Sequence, residues 1–188
     1  MTVLIIGLVL FLGVHSVRIA APGWRDRRIA AMGEGPWKGL YSLVSIVGFV
    51  LLVWGYSLAR PEAPILYEPP VWMKHVTALL MILAFVSLAI YAAPAGRLKP
   101  MLKHPMLVAV KIWALAHLLA NGDLASVLLF GTFLVWAVFD RISVKRRAAP
   151  IPAAGPALND VIAVVAGLVV YALFVWRLHE LLFGVMPM

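Results

Sequence analysis

The sequence predicts an all-α fold, a polytopic membrane bundle of six transmembrane helices forming one domain over residues 1–188. Three observations predict it. The chain is 64% apolar and 13% charged, with mean hydropathy +0.99, whereas soluble domains average ~45–50% apolar and ~25% charged. Six apolar runs approach the roughly 20 residues a spanning helix needs. The basic residues fall in alternate loops.

The first run, residues 2–21, is closed by "APGWRD". The second covers 39–58 and ends in "ARPEAP"; the third, 71–91, lies between "YEPP" and "AAPAGRLKP". The fourth, 105–120, is the shortest and carries Lys111. "NGD" separates it from the fifth, 124–142, and "RRAAPIPAAGP" precedes the sixth, 158–183. These Pro/Gly-rich breaks are turn and loop chemistry. No loop is long enough to hold a second domain.

Net charge is +8. The first loop holds Arg25, Arg27, Arg28 and Lys38, with Arg18 just inside the span. The third holds Arg97, Lys99 and Lys103, and the fifth holds Arg141, Lys145, Arg146 and Arg147. The second balances Arg60 and Lys74 against Glu62 and Glu68, and the fourth has no basic residue. Loops 1, 3 and 5 are therefore expected in the cytoplasm, with both termini outside. Charge sorted in this way serves orientation and contact with anionic lipid, which argues against a nucleic-acid partner. "MTVLIIGLVL" lacks a basic n-region, so the first helix is expected to be uncleaved. There is no cysteine, which excludes disulfides, thiolate metal sites and a thiol nucleophile.

The topology sorts five histidines by depth. His75 and His179 sit near the outer ends of spans 3 and 6, where water or headgroups satisfy them. His104, in "KHPM", marks the cytoplasmic start of span 4, with a proline in the first turn. His15, in "FLGVHSVR", lies roughly 8 Å inside span 1, and His117 about 20 Å beyond His104. Ionisable residues at such depth face the bundle interior and mark functional sites by default. Phe11, His15 and Arg18 form one stripe at helical spacing, as do Trp113, His117 and Asn121. Lys111 shares the His104 face rather than the His117 face, so span 4 is expected to sit centrally, shielded from lipid.

Two chemistries fit a pair of buried imidazoles. One is structural, a hydrogen bond inside the bundle to an asparagine or to a hydroxyl such as Ser16, Ser42 or Ser45. The other is metal ligation. A hydrolytic zinc site needs further ligands and a base at the same depth, which Asp140 and Asp123 do not supply. Haem needs one or two axial ligands, an aromatic cleft and cations for its propionates. On straight spans His15 and His117 differ by about 11 Å in depth and His15 and His104 by about 8 Å, so depth alone leaves both pairs open.

At these residues the chain resembles the NnrU family. "GVHS", "KHP" at 103–105, "WALAHLLANGD" at 113–123 and the six-span layout carry the resemblance. The family takes its name from bacterial genes associated with nitrite and nitric oxide reduction, and is related to 15-cis-ζ-carotene isomerase, a membrane haem b protein with histidine axial ligands. The resemblance implies a multi-pass protein of the bacterial inner membrane. It also implies haem b iron held by His15 and His117, with His104 as a further functional or alternate histidine. Arg18, one turn nearer the cytoplasm than His15, is then the expected propionate partner. A polyene substrate and a membrane redox partner belong to the same expectation.

Two rivals differ in class. "KHPM" also resembles the entry element of isoprenylcysteine-type membrane methyltransferases, but span 5 ends "WAVFDRISVKRR", with Asp140 alone where those enzymes carry a glutamate pair. A small transporter or assembly factor would use Lys111 and the outer "NGD" as pathway or docking residues.

Overall fold

The computed structural model describes residues 1–187. The helices are α1 (Thr2–Ala20), α2 (Pro22–Met32), α3 (Glu34–Ala59), α4 (Met73–Ala92), α5 (Leu98–Leu102), α6 (Pro105–Ala120) and α7 (Leu124–Arg146). The last, α8 (Ala157–Phe183), contains a π-helical turn at Phe174–Leu178. Five of them, α1, α3, α4, α7 and α8, are long and apolar enough to cross a membrane. With the shorter α6 they reproduce the six predicted spans.

The spanning helices pack as a chain of neighbours, α3 on α1, α1 on α7, α7 on α6, α6 on α4 and α4 on α8. Helix α6 has 16 residues, about 24 Å against a ~30 Å hydrocarbon core. It packs between α4 and α7, and its Lys111 is half-buried. Pro105, Leu107, Ala109, Ala114 and Ala116 of α6 are buried, and the Thr77 hydroxyl of α4 donates to the Ala116 carbonyl at 2.8 Å. The expected central placement of this span is borne out.

The tightest pairing joins α1 to α3 through glycines. A Cβ at Gly7 would lie 2.3 Å from the Leu52 backbone nitrogen, and one at Gly55 2.3 Å from that of Leu4. Small residues permit such backbone approach in membrane helices, where dispersion replaces the hydrophobic drive between helices. Leu4, Leu8 and Leu52 from this pair join Ala114, Ala125, Leu129 and Phe130 in the main core.

Two helices lie where the sequence reading expected loops. Helix α2 starts at Pro22, suited to a first turn, and ends at Gly33, whose φ of 87° few other residues accept. Trp24 of α2 packs edge-on against Trp37 at 5.9 Å, and the Arg28 guanidinium lies over Trp24. Helix α5 is a single short turn before α6.

At the opposite end the 63–70 segment is strapped across the α6–α7 turn. Leu66 and Tyr67 amides donate to the Gly122 carbonyl, and the Leu124 amide to Pro64. Asp123 caps α7, its carboxylate accepting from the Ser126 amide at 2.8 Å and hydroxyl at 2.6 Å. With the Ser126 proton so used, Tyr56 donates its own to Ser126 Oγ at 2.8 Å. The "NGD" turn thus supplies the cap of α7. Asp123→Ala should cost about 1–2 kcal/mol, the upper range for a cap, because the Ser126 amide and hydroxyl both lose their acceptor. Thermal unfolding in detergent should show a lowered midpoint that Asp123→Asn largely restores.

Candidate functional site

Helix α7 serves as a ruler for the histidines, because three of them lie beside it at different heights. The His15 ring is 6.1 Å from Trp136, edge-on, and 4.4 Å from Phe11 and 5.2 Å from Tyr41. The His117 ring stacks on Phe130 at 4.6 Å and 27° and lies 5.4 Å from Trp113. His104, at the start of α6, shares a cavity with Arg141, Val144 and Lys145. Phe130 to Trp136 is six residues, about 9 Å along the helix. The order from the α6–α7 turn toward the α5 end is His117, His15, His104.

His15 and His117 are held in the same way. His15 Nδ1 is 2.7 Å from the Phe11 carbonyl, and His117 Nδ1 is 2.8 Å from the Trp113 carbonyl. A carbonyl only accepts, so each Nδ1 carries the proton and each neutral ring presents an unprotonated Nε2. Among the described residues no hydrogen bond reaches either Nε2. The expected stripes explain this anchoring, since Phe11 and Trp113 stand four residues before their histidines. Two of the three hydroxyls that offered a structural alternative are used elsewhere, and Ser42 is exposed. Ser16 donates to Leu12 and Ser45 to Tyr41, each to its own helix.

The two imidazoles do not touch. Between them Phe11 meets Phe133 at 5.8 Å, and Phe133 meets Trp113 at 5.4 Å. The site is therefore an aromatic column with an imidazole near each end. Phe130, Phe133 and Trp136 of α7 form its spine at three-residue spacing, legible as "FGTFLVW" but not singled out from sequence.

Polar groups flank the column. Asn121 donates to the His117 carbonyl at 2.9 Å and accepts from Arg60 at 3.4 Å. Arg18 is exposed on α1, and its carbonyl accepts from Arg147, which also approaches Asp140 at 3.8 Å. Among the described residues two buried nitrogens have no partner, the Trp136 indole beside His15 and Arg147 Nε. Burial, then the positive charge of Arg141, lowers the His104 pKa, with Asp140 opposing. His75 is exposed, and His179 Nδ1 bonds the Val185 carbonyl at 2.8 Å. Among the described residues neither ring stacks on the column's aromatics, and His179 meets Phe183 instead.

A haem was tested against these features. The donor chemistry fits, with two free Nε2 atoms anchored from behind, an aromatic lining and an orphaned N–H that a carboxylate would satisfy. The spacing fits one histidine at a time, since the rings sit at different heights on α7. Among the described residues no cluster of three or more His, Cys, Asp or Glu is present, so the polydentate sites of hydrolytic metals have no counterpart.

The model of the family described as NnrU protein matches residues 3–187. No curated protein and no solved structure matches the chain. The family match takes in every spanning helix and both interior histidines, and the chain belongs to the NnrU family.

Proposed function

We propose that this protein binds haem b inside the bilayer, with His15 and His117 as iron ligands. The observation that carries the reading is the matched anchoring of both Nδ1 atoms to carbonyls, which leaves two unpartnered Nε2 atoms on an aromatic column. An uncommitted polar atom at membrane depth is costly, and a metal removes that cost for each ring. The rings sit beside Trp136 and Phe130 at different heights on α7, so each histidine would present its Nε2 to an iron from its own level of the column. Arg18, exposed on α1, would hold a propionate, and the unpartnered Trp136 indole would donate to a ligand oxygen beside His15. His104 is the alternate histidine.

Bound haem would supply a redox-active iron in an apolar setting. Two roles use it, a redox-linked cis–trans isomerisation of a polyene or an accessory task in nitrite and nitric oxide respiration. In either, the chain's residues orient the group, exclude water and face a membrane redox partner.

An optical spectrum of the purified protein, oxidised and reduced and after haemin addition, tests the reading. A b-type spectrum is expected, with complete extraction of pigment by acid-acetone, since no cysteine can form a thioether. Failure to take up haemin would overturn the proposal.

A further inference from the structure

The basic residues near the α5 end do more than orient the chain. Lys103, His104, Arg141 and Lys145 line one cavity of about 150 Å³, with Val144, Ala148, Ala149 and Ile151 as its aliphatic wall. The four nitrogen-bearing side chains come from the α5–α6 junction and from α7, which sequence separates by more than thirty residues. No acidic residue lines the cavity, and the nearby Asp140 is engaged by Arg147. Among the described residues none of the four side chains makes an ion pair. Three cations converge with no carboxylate in the lining and none in an ion pair with them.

The backbone supports the convergence. Lys103 and Ala148 are the non-glycine residues with positive φ among those described, at 62° and 48°, and both line this cavity. Such conformations persist where surrounding structure over-determines them. The cavity opens where α6 begins and α7 ends, at headgroup level, on the side that the charge pattern assigns to the cytoplasm.

We propose that this cavity is a binding site for a phosphate-bearing anion, presented as the headgroup of an anionic lipid. A phosphomonoester carries about −1.5 to −2 charge at pH 7 and three strong acceptors, which answers three cations and a histidine. The aliphatic wall answers the glycerol end of a lipid. Basic pockets between membrane helices on the cytoplasmic side recognise phosphate headgroups by this chemistry.

Native mass spectrometry of the full chain in detergent tests it, with dioleoyl phosphatidic acid, dioleoyl phosphatidylcholine or inorganic phosphate added. The protein should retain one phosphatidic acid and no phosphatidylcholine. Arg141→Gln with Lys145→Gln should lower retention about tenfold or more, the effect of losing charge-assisted bonds. Arg27→Gln with Lys38→Gln removes the same charge from the first basic loop and should change little. Displacement by inorganic phosphate, dependent on Arg141 and Lys145, would identify the free anion as the ligand of the same site. Equal losses in the two double variants would reduce the effect to general charge and overturn the proposal, as would no loss in either. Should the first double variant fail to fold, Arg141→Lys with Lys145→Arg keeps the charges and must retain the lipid.

Discussion

Replacing His117 by alanine should cost the protein most of its haem, or turn a low-spin ferric iron into a high-spin or water-ligated one. His15→Ala should do the same. Loss of an outer-shell partner already lowers metal affinity about 10–100-fold, and loss of a ligand should exceed the lower end of that range. The anchoring makes the two equivalent, since each ring is fixed by its i−4 carbonyl and offers one Nε2. Their positions on α7 make the comparison sharp. His104 lies further along the helix, among Arg141, Val144 and Lys145, and His104→Ala should leave the iron low-spin. His75→Ala and His179→Ala should change nothing, as one is exposed and the other bonded to Val185. Ferric spectra at matched protein levels decide the matter. Loss of the low-spin signal in His104→Ala but not His117→Ala would move the pair to His15 and His104. A change in only one of His15→Ala and His117→Ala would leave a single axial histidine. No change in any of the three would end the haem reading for this column.

What the sequence made legible follows from which forces act locally. The six spans come from hydropathy, and α1, α6 and α7 start at the residues expected, because Pro105 and Asp123 are local start signals for their helices. The interior histidines were legible from depth and periodicity. Helix α2 was not, since "PGWRDRR" carries turn residues and charge, and its packing on α1 and α3, with Trp24 on Trp37, is tertiary. The aromatic column was half visible. Its α1 and α6 contributions follow the histidine stripes, but Phe133 and Trp136 enter through helix order, which hydropathy does not encode. The close approach of α1 and α3 was likewise hidden, because a glycine in an apolar run reads the same whether it faces lipid or a backbone.

That last point yields the second large effect. Gly7→Ala and Gly55→Ala should each destabilise the protein, whereas Gly13→Ala, also on α1, should stabilise it. Alanine in place of glycine favours a helix by up to about 1 kcal/mol, and Gly13 has nothing within 4 Å of its added carbon, so only that gain remains. At Gly7 the new carbon would lie 2.3 Å from Leu52 N and 2.6 Å from Leu52 Cα, and at Gly55 the same distances from Leu4. Those neighbours are backbone and cannot rotate aside, so the helices must part. Overpacking of this kind costs about 1–3 kcal/mol or more, which outweighs the propensity gain. Thermal melts in detergent should show midpoints lowered on the order of 5 °C for Gly7→Ala and Gly55→Ala and slightly raised for Gly13→Ala. Equal shifts at all three positions would mean the α1–α3 contact is looser than described. The consequence reaches the site, because α1 carries Phe11 and His15 and is held on its other side by α7. Separating α1 from α3 also pulls Tyr41 from His15, so haem retention should fall with the melting midpoint in the first two variants and hold in the third.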